Sequence, residues 1–177
     1  MFFNFLRDTP LGLLMSGHIT EYLLMILYLL PAFVIALSFH EAAHAWMANK
    51  MGDPTARNLG RLTLDPTKHI DLVGIIAFLV IGFGWAKPVP TNPRNYYNYK
   101  KANILVALAG VTTNLILSFV FYLIWFLVVY VFGVTSQIIS TILFYIVMMN
   151  IVLCVFNLIP IPPLDGHHLI KGFIARK

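Results

Sequence analysis

The sequence predicts an all-α polytopic membrane protein: about three to four transmembrane helices plus a re-entrant segment with a small membrane-embedded β element. Three observations carry this prediction. Of the 177 residues, 59% are hydrophobic and only 11% charged, with a mean hydropathy of +0.82. A soluble fold of this size needs more polar surface than that. The apolar residues also fall in runs long enough to cross a bilayer, where only segments that satisfy their own backbone hydrogen bonds persist. Lys and Arg fall between those runs, where they set topology and meet anionic headgroups. The net charge of +5 is therefore not a nucleic-acid signal.

Residues 1–17 contain Arg7 but no long apolar stretch followed by a cleavage pattern, and read as an interfacial lead-in, not a signal peptide. The first long apolar run, residues 22–39, is interrupted by Pro31. That proline removes one helical hydrogen bond and is expected to kink the helix. The helix extends through about Lys50, and Gly52-Asp53-Pro54 stops it.

From residue 57 to 71 the texture changes. Gly60-Arg61-Leu62-Thr63-Leu64-Asp65-Pro66 alternates polar and apolar side chains, the period of a strand. Trp85-Ala86-Lys87-Pro88-Val89-Pro90 is a second extended candidate, confined by its prolines to a sheet edge or to no sheet. Between them, residues 72–83 are apolar but short for a span, which needs about 20 residues. Basic residues flank that run on both sides: Lys50, Arg57, Arg61 and Lys68 before it, Lys87, Arg94, Lys100 and Lys101 after it. A crossing would put one cluster outside, against the positive-inside rule, so a dip that returns is the preferred reading.

The second long span covers residues 102–132 and contains Ala109-Gly110 and Asn114, read as a packing face for a neighbouring helix. Gly133-Val134-Thr135-Ser136 is a turn without basic residues, as expected on the outer side. A third span, residues 138–156, returns. Residues 157–163 are too proline-rich for regular helix. The chain then ends with Asp165-Gly166-His167-His168 and a basic tail of Lys171, Arg176 and Lys177, expected on the cytoplasmic side. Tyr96-Tyr97-Asn98-Tyr99 reads as an interfacial aromatic belt, and His18 as interfacial. Cys154, the only cysteine, permits no internal disulfide and lies in an apolar run, which argues against metal ligation. No internal repeat is present.

The chemistry concentrates in His40-Glu41-Ala42-Ala43-His44, an H-E-x-x-H motif near the end of the first apolar helix. Residues four apart share a helix face, so His40 and His44 can offer imidazole nitrogens to one metal ion. Glu41 lies close enough to take a proton from a water at that metal. The bland alternative is a helix that merely carries interfacial histidines. A catalytic zinc site has three protein ligands and one open position. The candidates for the third are His18, His69, His167, His168, Asp53, Asp65, Asp71 and Asp165. Asp165 has the best case. It follows the rigid Pro162-Pro163 turn, its neighbour Gly166 leaves room, and it lies at the same cytoplasmic depth as the motif. A zinc dication with one aspartate and one hydroxide is neutral, which limits the cost of burying it. Asp165 would equally suit the cap of the following helix.

His40-Glu41-Ala42-Ala43-His44, taken with Asn157-Leu158-Ile159-Pro160-Ile161-Pro162-Pro163-Leu164-Asp165-Gly166, resembles the paired signature of the site-2 protease family, the intramembrane zinc metalloproteases. The segments at Gly60 and Gly84-Trp85 also resemble its compact bacterial and archaeal members. The resemblance implies His40, His44 and Asp165 as ligands of one zinc ion and Glu41 as catalytic base. It implies that Asn157, which would equally suit the cap of the preceding helix, helps hold the substrate or its oxyanion, and that residues 57–90 form a membrane-embedded β element beside the substrate. On this reading residues 1–177 form a single membrane-embedded metalloprotease domain, with residues 52–98 as its re-entrant and β region. No PDZ or nucleotide-sensing domain is accommodated. The substrate would be a transmembrane protein or peptide, the partner surface a lipid bilayer of a prokaryotic cell membrane, and the active site near its cytoplasmic side.

The sequence departs from the family pattern at two places. Val111 stands where the family usually has the proline of an Ala-Gly-Pro motif, and His167 where a second glycine usually follows Asp165-Gly166. His167 would therefore be an extra ligand or gate, or simply interfacial; His69 would be in a second shell. Family chains often continue with another hydrophobic segment, whereas this sequence stops at Lys177. Two other functions remain open on residues alone. A metal transporter would need ionisable groups across the whole thickness, and residues 102–132 and 138–156 contain almost none. A catalytically inactive family member would bind membrane partners, against which the intact His40, Glu41, His44 and Asp165 argue.

Overall fold

The computed structural model describes residues 9–174. Residues 1–8 of the expected lead-in, and Arg176 and Lys177 of the basic tail, lie outside the described residues. The described part of the lead-in forms a short helix, α1 (Pro10–Met15), whose N-cap Thr9 accepts a hydrogen bond from the Gly12 N–H.

Helix α2 (Ile19–Lys50) follows and runs through Pro31 without interruption. Its 32 residues span about 48 Å at 1.5 Å per residue, more than the roughly 30 Å of a bilayer's hydrocarbon core. A single turn, α3 (Thr55–Asn58), comes next. Helix α4 (Leu72–Ile81) is capped by Asp71, whose carboxylate accepts from the Gly74 N–H. Its 10 residues cover about 15 Å, too short to cross. Helix α5 (Tyr99–Phe126) continues into a π turn at Leu127–Val131. Helix α6 (Gln137–Asn157), capped by Ser136, and α7 (Asp165–Ile174) complete the order.

Among the described residues three helices are long and apolar enough to cross a membrane: α2, α5 with its π turn, and α6. They pack on one another, and α7 packs on α5. The contact faces are lined by small residues, Ala32, Ala36, Ala45 and Ala48 on α2 and Ala102, Ala107 and Gly110 on α5. In lipid, where burial of apolar area drives helices together only weakly, such close backbone approach supplies the packing. The outer faces keep large apolar side chains exposed, among them Leu115, Ile116 and Phe119 on α5 and Val152 and Val155 on α6, as a lipid-facing surface requires. Helix α4 docks on α2 through Phe78, stacked on Phe33 with ring centroids 4.1 Å apart.

The expected β element does not form: among the described residues there is no strand, only an isolated antiparallel bridge between Ile70 and Ala86. The physical reason lies in the donors. Pro88 and Pro90 have no N–H to give a ladder, and Asp65 turns the chain into a 3-10 turn at Pro66–Lys68 by accepting from the Thr67 N–H. Side chains hold the return segment instead. Arg61 Nη2 donates to the Lys87 carbonyl at 2.7 Å, and Asp53 accepts from the Asn92 N–H at 2.6 Å. The alternation at residues 60–66 is that of a bent loop.

Candidate metal centre

One turn of α2 sets His40 and His44 on the same buried face. Their Nε2 atoms lie 2.9 Å apart, and Asp165 Oδ2 stands 3.2 Å from each. Among the described residues these three form the one group able to hold a metal ion, with ligand atoms all within 4.8 Å of one another. The tautomer of His44 follows from its other nitrogen. Nδ1 lies 2.8 Å from the Val106 carbonyl, which can only accept, so Nδ1 carries the hydrogen and Nε2 is free to ligate.

The fit to a zinc ion rests on what surrounds these atoms. Asp165 Oδ2 is buried and has no hydrogen-bond partner, an arrangement that costs free energy unless a cation satisfies it. The spacings are close to the edge of a tetrahedron with ligands at 2.0–2.1 Å, about 3.3 Å. Gly110 on α5 completes the cradle: a Cβ there would lie 2.5 Å from His40 Cε1 and 2.6 Å from His44 Nε2. A donor set of two imidazoles and a carboxylate suits zinc.

Asp165 arrives from the far end of the chain. Residues 158–164 fold back on the end of α6, with Ile161 N–H bonded to the Ile159 carbonyl and Leu164 N–H to the Ile161 carbonyl. Gly166 passes so close to the Leu158 and Ile159 carbonyls that a Cβ would collide with both.

Glu41 is buried beside the histidines, and its Oε2 accepts a hydrogen bond from the Val89 N–H at 2.9 Å. Glu41, both histidines and Asp165 line a cavity of about 350 Å³, whose walls include Val89, Tyr96 and Asn157. Asn157 thus faces the same space, with its Nδ2 donating to the Leu153 carbonyl at 3.0 Å. His168 and Lys171 of α7 line the cavity as well, whereas His167 does not enter the metal-ligand group.

The other candidates for a third ligand are engaged elsewhere. Asp65 and Asp71 cap turns, and His18 pairs with Glu21 at 3.3 Å. His69 is fully buried, with its Nε2 on the Thr63 carbonyl at 2.8 Å, bracing the loop before α4. Asp53, also fully buried, accepts from Thr55, from the Asn92 N–H and from Asn95 Nδ2. Burial raises its carboxyl, and these hydrogen bonds outweigh that and hold it below the usual range.

Sequence reasoning missed three features of this site. The Val89 N–H is a backbone group, and no side-chain pattern marks it. Asp53 stands in the sequence as part of a helix stop and as a ligand candidate; its value as an anchor depends on Asn92 and Asn95, which the fold brings near. Asn114, read as a packing residue, does bond a neighbouring helix, but its Oδ1 also lies 2.5 Å from His40 Nδ1. Its signal was present, an amide in an otherwise apolar span, yet its partner could not be read.

The sequence profile of Peptidase family M50 matches residues 28–141 and 127–177. The chain is 40% identical over 151 residues to a Bacillus subtilis (strain 168) protein named "Putative zinc metalloprotease YwhC", covering 83% of this chain and 69% of that one. It is 30% identical over 133 residues to "Putative zinc metalloprotease MJ0611" of Methanocaldococcus jannaschii, covering 75% of this chain and 63% of that protein. "Putative zinc metalloprotease Rip2" of Mycobacterium tuberculosis (strain ATCC 25618 / H37Rv) is 26% identical over 142 residues, 78% of this chain and 54% of its own. No solved structure matches the chain. With the profile covering most of its length and a relative at 40% identity, the chain belongs to peptidase family M50, the site-2 proteases.

Proposed function

We propose that the chain is an intramembrane zinc metalloprotease that hydrolyses peptide bonds in or near transmembrane segments of membrane-protein substrates, the chemistry of regulated intramembrane proteolysis. The observation that carries this reading is the meeting of His40 Nε2, His44 Nε2 and Asp165 Oδ2 beside Glu41 in one cavity. His40, His44 and Asp165 would hold the zinc ion. When bound, zinc supplies a Lewis acid that polarises the scissile carbonyl and makes a water acidic enough to attack near neutral pH.

Glu41 acts as the base. Its Oε2 is committed to the Val89 N–H, which orients the carboxylate and leaves Oε1 to take the proton of the attacking water and return it to the leaving amine. Asn157 has one amide hydrogen on the Leu153 carbonyl and a second available for a substrate carbonyl or its developing oxyanion. A transmembrane helix hides its peptide bonds within its own hydrogen bonds, so the substrate must unwind locally before a bond reaches Glu41. Placement of the site near the cytoplasmic face is supported by Lys50 at the end of α2 and by the basic residues on either side of α4. Helix α4, apolar and short, is read as a segment that enters the membrane and returns.

The test is elemental analysis of the detergent-purified protein beside its Asp165→Ala variant, followed by cleavage of a transmembrane reporter in liposomes. About one zinc per chain, a large loss in the variant, and reporter cleavage by the wild type support the reading. Equal zinc in both removes Asp165 from the ligand set. Bound zinc with no cleavage of any transmembrane reporter favours a membrane-partner binder over a protease.

A further inference from the structure

We propose that Asn114 and Asn150 form a relay that fixes the tautomer and aim of His40, and so act as positioning residues for the metal site; the role in metal binding rests on His40 being a zinc ligand. Both amides are fully buried, Asn114 on α5 and Asn150 on α6. Asn150 Nδ2 donates to the Ile146 carbonyl of its own helix at 2.8 Å. Asn150 Oδ1 accepts from Asn114 Nδ2 at 2.8 Å, and the same Nδ2 donates to the Ala36 carbonyl of α2 at 3.1 Å. Asn114 Oδ1 then meets His40 Nδ1 at 2.5 Å.

The direction of every bond in this chain is determined. Backbone carbonyls only accept, so the Ile146 carbonyl fixes which end of Asn150 is the nitrogen, and the Ala36 carbonyl fixes the same for Asn114. Asn114 is left with an acceptor facing His40. The imidazole must therefore donate from Nδ1, and Nε2 presents its lone pair to the point that His44 and Asp165 share. The two amides and the backbone carbonyls that direct them do not ionise, so nothing upstream of His40 reverses the bonds. All its members are satisfied, the condition under which a buried polar network specifies one arrangement.

The two histidines are thus positioned by different means. His44 leans on the backbone carbonyl of Val106, which no side-chain substitution removes. His40 depends on side chains from two other helices. A plain packing role for the asparagines would make them matter for helix association alone. A relay makes the packing of α5 and α6 a determinant of zinc affinity.

The experiment uses Asn114→Leu, Asn150→Leu and the double variant, since leucine keeps the volume and suits an apolar interior. Zinc affinity is measured by competition with a chromophoric chelator, and the His40 tautomer by ¹⁵N NMR of the metal-free protein labelled at histidine. Asn114→Leu should weaken zinc binding about 10- to 100-fold, the usual effect of losing an outer-shell partner. Asn150→Leu should weaken it less, because Asn114 retains the Ala36 carbonyl. The double variant should be no weaker than Asn114→Leu alone, the non-additivity expected of residues acting in series. The metal-free wild type should show His40 protonated at Nδ1, and Asn114→Leu a mixture. An unchanged tautomer, or unchanged zinc affinity with lowered thermal stability, overturns the relay. Absence of zinc in the wild type with the expected tautomers would instead overturn the ligand assignment while leaving the hydrogen-bond relay in place.

Discussion

The Glu41 carboxylate accepts a hydrogen bond from the backbone N–H of Val89 at 2.9 Å, across 48 positions of sequence. This bond joins the H-E-x-x-H helix to the segment that returns after α4. The same segment is held from below by Arg61 on the Lys87 carbonyl and by Asp53 on the Asn92 N–H. The proposed base is therefore aimed by a loop, and the loop by two buried charged side chains.

Replacing Glu41 with glutamine keeps a carbonyl oxygen for the Val89 N–H but removes the base. Cleavage of a transmembrane reporter by Glu41→Gln should fall by about 10²- to 10⁴-fold, the usual contribution of a positioned general base. Zinc content should match the wild type. Cleavage within a few-fold of wild type would remove Glu41 from its assigned role.

Gly110→Ala places a methyl group 2.5–2.7 Å from ring atoms of His40 and His44. Either the imidazoles rotate or α5 moves away from α2, and overpacking of this kind costs about 1–3 kcal/mol. Chelator competition should show weakened zinc binding alongside a lower melting temperature. If both quantities stay at their wild-type values, the two helices are not in the tight contact described.

Asp53 gives the loop an acid limit. Its folded-state pKa is lowered, so its stabilisation is present above the unfolded value of about 3.9 and is lost as pH falls through the folded value. Emission from Trp85, read in a Trp46→Phe/Trp125→Phe background, should be flat near neutrality and change only below about pH 4. Asp53→Asn should resemble the acidified protein already at pH 7, with reduced cleavage. An identical acid transition in Asp53→Asn would assign the anchor to another group.

Phe78→Ala removes the ring stacked on Phe33. Deleting a packed phenylalanine costs about 3 kcal/mol or more, and here the loss falls on the docking of α4 and not on the three long helices. Hydrogen exchange of residues 72–83 should accelerate while the metal site keeps its zinc. Uniform destabilisation of the whole chain would mean that α4 is integral to the bundle.

The sequence made the three spans legible because apolar length is a local property: residues 22–39 and 138–156 lie within α2 and α6, and residues 102–132 overrun α5 with its π turn by one position. His40 and His44 were readable as partners because helical spacing places them. Asp165 could be nominated from its proline turn, but only the folded chain brings its Oδ2 to the histidines. The β element failed for a reason the sequence contained, the prolines at 88 and 90, overridden by the alternation at residues 60–66. The role of Asn150 is not legible, since an amide in an apolar run declares a need for partners without saying which. Arg61 and Asp53 show the same limit: each binds a backbone group in the return segment, and backbone groups leave no trace in side-chain patterns.

The three groups able to hold a metal ion come from distant stretches of the polypeptide, the histidines on α2 and the aspartate at the start of α7. With the proposed ligand set, a ribosome that has released the first long helix has produced the motif but not the enzyme. The triad closes only after α6 has been inserted and α7 has docked on α5. Order of synthesis then works as a safety catch: a copy interrupted before Asp165 carries the motif without its third proposed donor and leaves the site open.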